Sequence, residues 1–139
     1  MDRDGGGFLP EALMIGIAEI DAQHEELFVR LQSLKLLCVE RNCLPEQNAE
    51  DLLRFLEQHF ATETAFAHQA GIDFSRHALK HQANLQGMTK AVREACLGQR
   101  DIFSVLRYLE YWFERHIVEE DLPLGARLQA AGATRAAYG

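Results

Sequence analysis

Cysteine is scarce in this chain of 139 residues, which holds only Cys38, Cys43 and Cys96. The number is odd and no C-x-x-C pair occurs, so the cysteines suggest neither a disulfide framework nor a thiolate zinc site. The expectation is three reduced thiols filling small apolar spaces, with Cys43 in a connecting loop where oxidation can reach it. Long apolar runs are missing too, and none approaches the ~18 residues of a membrane span. Met1-Asp2-Arg3-Asp4-Gly5 lacks the basic start and apolar core of a signal peptide. Blocks of Lys and Arg are absent: 14 basic residues face 21 acidic ones, for a formal net charge of −7. Such a surface repels phosphate backbones and anionic bilayers, so neither nucleic acid nor a membrane is an expected partner. The expected location is the cytoplasm.

What remains is ordinary globular material, 47% hydrophobic and 25% charged, in an amount that suits one domain spanning 1–139. The Gly5-Gly6-Gly7 run and the small-residue tail from Ala130 to Gly139 read as flexible ends, because neither holds enough large apolar side chains to offset ordering entropy. No strand precedes the glycines and their spacing fits neither nucleotide-binding pattern, which excludes a phosphate loop.

Between the ends, the apolar residues recur at the helical period. Ile17, Ile20, His24, Leu27, Leu31 and Leu34 predict a helix from near Glu19 to Val39, with Asp21 aiding its start. Arg41 to Pro45 breaks the pattern, and Pro45-Glu46 suits the first turn of a second helix. That helix carries Leu52, Leu53, Leu56, His59, Glu63 and Phe66, and Gly71 closes it. Ser75 is the expected N-cap of a third, with His77, His81, Leu85, Met88 and Val92, which Gly98 ends. A fourth begins near Asp101, carries Leu106, Leu109, Phe113, His116 and Ile117, and is expected to stop at Pro123. Strand alternation is not sustained anywhere. The predicted fold is all-α, an antiparallel up-down four-helix bundle over about 16–122, with a metal site in its core.

The metal site follows from where the histidines fall. Five of the six lie on apolar stripes, and all four helices contribute. One core histidine bonded to a backbone carbonyl would be unremarked; five demand a common cause. His59 and Glu63 are four apart, as are His77 and His81, so each pair projects from one helix face. The last helix offers His116 and Asp121. At 100° per residue a spacing of five turns the carboxylate about 140° away, and fraying ahead of Pro123 is expected to let Asp121 swing back. His68, five beyond Glu63, belongs to the surface.

Five imidazoles and two carboxylates exceed what one tetrahedral zinc needs and suit two octahedral ions sharing carboxylate bridges. Imidazole and carboxylate without thiolate favour iron. Other signatures are absent. No Glu precedes a His by three, as ferritin-like sites require. His24-Glu25-Glu26-Leu27-Phe28 lacks the second histidine of a zinc protease. No adjacent His-Asp dyad occurs. Leu27, Phe113, Ile117 and Phe60 flank these groups at helical spacing and are expected to enclose them in a dry pocket.

Taken together, Ile20-Asp21-x-Gln23-His24-x-x-Leu27, His59-x-x-x-Glu63, His77-x-x-x-His81 and His116-x-x-x-x-Asp121 resemble the ligand set of the hemerythrin family. The likeness covers about Gly16 to Leu122, is greatest to single-domain bacterial members, and includes Trp112 ahead of the fifth histidine. The resemblance implies reversible dioxygen binding at a non-haem di-iron centre, for storage, delivery or scavenging, and no enzymatic role. It also implies that His77, His81 and His116 saturate one iron and that His24 and His59 hold the other, leaving a position open. Glu63, Asp121 and a hydroxide or oxo group would bridge the two irons as they cycle between ferrous and ferric. Leu27, Phe113 and Ile117 would line the dioxygen pocket. An oxygen or redox sensor acting on a partner, or a di-iron peroxidase or oxidase, could use the same centre.

Overall fold

The computed structural model describes residues 10–132, which are helical with no strand among them. Of the expected flexible ends, residues 5–7 and 133–139 lie outside the described part, whereas Ala130 is the last residue of a helix. Four helices form a bundle: α1 (Ala18–Arg41), α2 (Glu46–Gln69), α3 (Ser75–Cys96) and α4 (Ile102–His116). A five-residue π-helical turn, Ile117–Asp121, joins α4 to a short α5 (Leu122–Ala130). Each bundle helix packs on its neighbour in the chain, and α1 meets α4 to close the ring.

The expected stripes are the ones buried. Ile17, Ile20, Leu27, Leu31 and Leu34 of the first stripe meet Leu52 and Leu56 of α2, Met88 and Val92 of α3, and Leu106, Leu109 and Phe113 of α4 in one core. None of the described helices is long and apolar enough to cross a membrane. Helix ends follow local chemistry. Asn42, at φ 52°, takes the left-handed conformation after α1 and donates its N–H to the Cys38 carbonyl at 2.8 Å. The Asp101 side chain caps α4 by accepting from the Ser104 N–H at 2.8 Å.

Two expectations about these ends, at Ser75 and Pro123, are corrected. Ser75 is the first helical residue of α3 and not its cap; the preceding Asp73 accepts the Ser75 N–H at 3.1 Å. Asp21 does aid the start of α1. It sits inside the first turn, buried, and accepts the N–H groups of Ile15 at 2.8 Å and Gly16 at 3.0 Å, so it ties the incoming chain onto the helix. Hydrogen bonds to a carboxylate contribute about 1.5–3 kcal/mol each, enough to hold a segment without regular structure.

Pro123 does not end the helical path. It occupies the first turn of α5, where its missing N–H is no loss and its fixed φ is already helical. The packed chain therefore extends past 16–122 at both ends: Leu124, Gly125 and Leu128 of α5 are buried together with Leu13, Ile15 and Ile17. Gly125 permits this crossing, since a Cβ there would stand 2.5 Å from the Ile15 carbonyl oxygen. Gly125→Ala is accordingly expected to cost about 2 kcal/mol through forced overpacking, read as a lowered midpoint in denaturant unfolding.

Candidate metal centre

Every side chain at this centre is set by helix register. His24 lies one turn before Leu27 on α1; His59 and Glu63 are successive turns of α2; His77 and His81 open α3; His116 ends α4. Asp121 closes the π-helical turn. An i→i+5 turn carries a residue five positions on back to nearly the same face, which an α-helix does not. The expected approach of Asp121 to His116 is observed, but by an ordered π turn and not by fraying: Asp121 is fully buried, with Oδ1 3.2 Å from Nε2 of His116.

The seven groups fall into two overlapping sets. One holds Glu63, His77, His81, His116 and Asp121, the other His24, His59, Glu63 and Asp121. Within each set every residue offers one nitrogen or oxygen within 4.8 Å of all the others. Both carboxylates are shared. Glu63 reaches His59 Nε2 at 2.9 Å and His81 Nε2 at 3.1 Å, while Asp121 reaches His24 Nε2 at 3.0 Å and His77 Nε2 at 3.3 Å. This buried group could hold a metal ion.

The polar atoms are arranged around common centres more than paired with each other. Both oxygens of Glu63, Oδ1 of Asp121, and Nε2 of His59 and His77 make no hydrogen bond of acceptable geometry among the described residues. Nε2 of His81 faces Nε2 of His116 at 3.1 Å, a contact in which at most one nitrogen carries a proton. Orphaned acceptors this deep normally cost about 1–3 kcal/mol each, and a cation removes that cost. Nitrogen and oxygen donors without sulfur suit a borderline or hard transition ion.

Electrostatics without metal show the same demand for positive charge. Burial pushes His24 toward neutrality, yet Asp121 and Glu63 overcome it and raise its pKa to about 9. Burial and the neighbouring Asp121 push Glu63 up, but the close imidazoles of His24, His59 and His81 bring it down to about 2. Asp121 is likewise held well below the usual carboxylate range, against burial, by His116, His24 and His77. His81 goes the other way: burial lowers it, and Glu63 only partly compensates. A proton on His24 thus does in part what a cation would do fully.

The surroundings position these rings. Gln23 accepts the Nδ1–H of His59 with Oε1 at 2.8 Å and donates from Nε2 to Thr62 Oγ at 3.0 Å, which leaves Nε2 of His59 free to face inward. Phe60 stacks on His81 at 3.7 Å between ring centroids, Phe74 on His77 at 4.3 Å and Trp112 on His116 at 4.7 Å. Gln23 belongs to the motif around His24, but its bonds to His59 and Thr62 did not stand out in the sequence, and neither did Phe74. His68 is exposed and outside the cluster.

Leu27, Phe113 and Ile117, the expected pocket residues, are all buried. Leu27 and Phe113 line an almost wholly apolar cavity of about 30 Å³, together with Leu56, Met88, Trp112 and other leucines. Ile117 does not line it. The edge of Phe113 meets the His24 ring at 5.8 Å, so the cavity abuts the two-histidine set.

The chain matches no protein-family model, no curated protein and no solved structure. The site therefore stands on its own geometry. Adding a divalent transition ion at about 100 times its Kd to chelated protein is expected to stabilise the fold by about 2.7 kcal/mol, seen as a higher Tm. Gln23→Ala is expected to weaken that binding about 10- to 100-fold in a competition titration while the metal-free fold keeps its Tm.

Proposed function

We propose that this chain is an antiparallel up-down bundle, resembling the hemerythrin family, that binds dioxygen reversibly at two irons in its core. One observation carries the reading: two buried donor sets, one with three histidines and one with two, share the same two carboxylates. The unequal histidine count supports an assignment of His77, His81 and His116 to a filled iron and of His24 and His59 to one with a position to spare. Bound iron would supply the electrons and the vacant coordination position that dioxygen needs.

The chain's residues supply the rest. Glu63 and Asp121, common to both donor sets, would balance the charge of two cations held close together in a medium where they would otherwise repel strongly. Gln23 fixes the tautomer and tilt of His59. Leu27 and Phe113 keep water away from the two-histidine side, so charged products gain no solvation by leaving. Beyond the candidate ligands themselves, no side chain that lines the cavity can act as a general acid or base, since the lining is almost entirely apolar. That favours binding over turnover and supports storage, delivery or scavenging.

The test is a metal count with a visible spectrum. Two irons per chain are expected, with a colourless anaerobic reduced sample that colours in air and bleaches when oxygen is removed. Protein that binds no iron, or that oxidises at once without a reversible band, would overturn the reading. Leu27→Asn, which places an amide beside the two-histidine set, is expected to leave the iron count at two and to shorten the lifetime of the colour severalfold.

A further inference from the structure

All three cysteines gather at one end of the bundle. Cys38 lies in the last turn of α1 and is buried, Cys43 is exposed in the connection to α2, and Cys96 is the half-buried last residue of α3. Cys96 Sγ approaches the carbonyl oxygen of Leu44, the residue after Cys43, at 3.7 Å. The thiols also sense each other: Cys43 and Cys96 both help raise the pKa of Cys38 after burial, and Cys43 helps raise that of Cys96 after burial, Glu46 and Glu50. Fourteen helical residues, about 21 Å, separate Cys38 from His24, and fifteen, about 22 Å, separate Cys96 from His81. This cluster is independent of the histidine centre. Among the described residues the thiols belong to no close three-ligand group, so a preformed metal site does not explain them.

The three thiols differ in access, and that decides their roles. Only Cys43 is open to solvent, so a small oxidant meets it first. Cys38 is fully buried, and its sulfur could turn outward only by disrupting the core under α1. Cys96 lines a surface groove of about 110 Å³ with Glu46, Glu50 and Arg93, so its sulfur can be approached without opening the bundle. The connection carrying Cys43 is held close by the buried Leu44 side chain, yet Asn42 has already left helical geometry, so the Cys43 side chain can turn without unwinding α1.

We propose that Cys43 and Cys96 form an intramolecular disulfide when the chain meets hydrogen peroxide, making this end of the bundle a thiol oxidation site. In the first step the Cys43 thiolate attacks one peroxide oxygen. An S–O bond forms and the O–O bond breaks; sulfur is oxidised to a sulfenic acid, and the departing hydroxide takes up the thiol's proton as water. In the second step the Cys96 thiolate attacks the Cys43 sulfur. The S–S bond forms, the S–O bond breaks, and hydroxide leaves with the Cys96 proton as a second water. Two thiols and one peroxide become one disulfide and two waters. The bridge would fasten the end of α3 to the α1–α2 connection.

The experiment treats the reduced full chain, both as purified and after chelation of metal, with hydrogen peroxide. Remaining thiols are then alkylated under denaturing conditions and the peptides mapped by mass. The expected product is a monomer that has lost two hydrogens, takes up one alkyl group, at Cys38, and yields a linked Cys43–Cys96 peptide. Cys43→Ser, a surface change that leaves the core intact, is expected to keep both remaining thiols alkylatable, while Cys38→Ala still forms the bridge. Three alkylated thiols, a Cys38–Cys43 link, a dimer joined through Cys43, or Cys43 oxidised further without a bridge would each overturn the proposal. Because added peroxide is the oxidant and the chelated chain is included, these outcomes do not depend on whether the core binds iron.

Discussion

Two carboxylates buried where water cannot reach them are the constraint from which the rest of this structure follows. Glu63 and Asp121 are fully buried. An isolated ion so placed carries a penalty of several kcal/mol, which only close positive charge can offset. Five imidazoles converge on them from four helices, and the helices must keep register with one another to within an ångström or so for that convergence to hold. The apolar stripes supply most of the driving force for assembly, but they would tolerate small slips. The carboxylates would not, because a slip would leave them buried without their imidazoles.

How much of this could be read in advance depends on whether the information was local. The four stripes were legible because helical periodicity is written into spacing: His24 belongs with Leu27 and Leu31, and His81 with Leu85 and Met88, whatever the partner helix. The grouping of six of the seven candidate ligand residues followed from the same periodicity. Asp121 was legible as a candidate ligand only through a wrong device. Its distance from His116 called for some departure from the α-helix, and a proline two residues on suggested fraying, whereas the chain forms a π turn and continues. Pro123 was misread because a proline serves equally at the end of one helix and the start of the next, and Leu124 and Leu128, four apart, were the sign that a helix followed.

Other features were invisible for a different reason. Asp21 anchoring Ile15 and Gly16, Gly125 lying against Ile15, and Gln23 bridging His59 to Thr62 are relations between residues whose proximity exists only in the folded chain. The same holds for the cysteines: Cys96 lies far in sequence from Cys38 and Cys43, without motif spacing, and meets them because α1 and α3 end at the same level of the bundle. The cavity beside Phe113 is likewise a sum of small misfits among side chains from several helices, which no single stripe records.

The π turn from Ile117 to Asp121 has a consequence for the length of the chain. It amounts to one residue more than an α-helix would place there. Removing one residue between His116 and Asp121 would let the backbone relax into an unbroken α-helix with the aspartate four positions after the histidine, and everything that follows would keep its face, because the π turn already takes up that extra residue. Leu124 and Leu128 would still meet Ile15 and Ile17, and Gly125 would still face the Ile15 carbonyl. Straightening the turn into α-helix at its present length would instead rotate α5 by about 100° and carry Asp121 away from His116. The stretch can therefore change its exposed side chains, such as Val118 and Glu119, freely, and can even lose a residue, provided that its backbone geometry changes with its length.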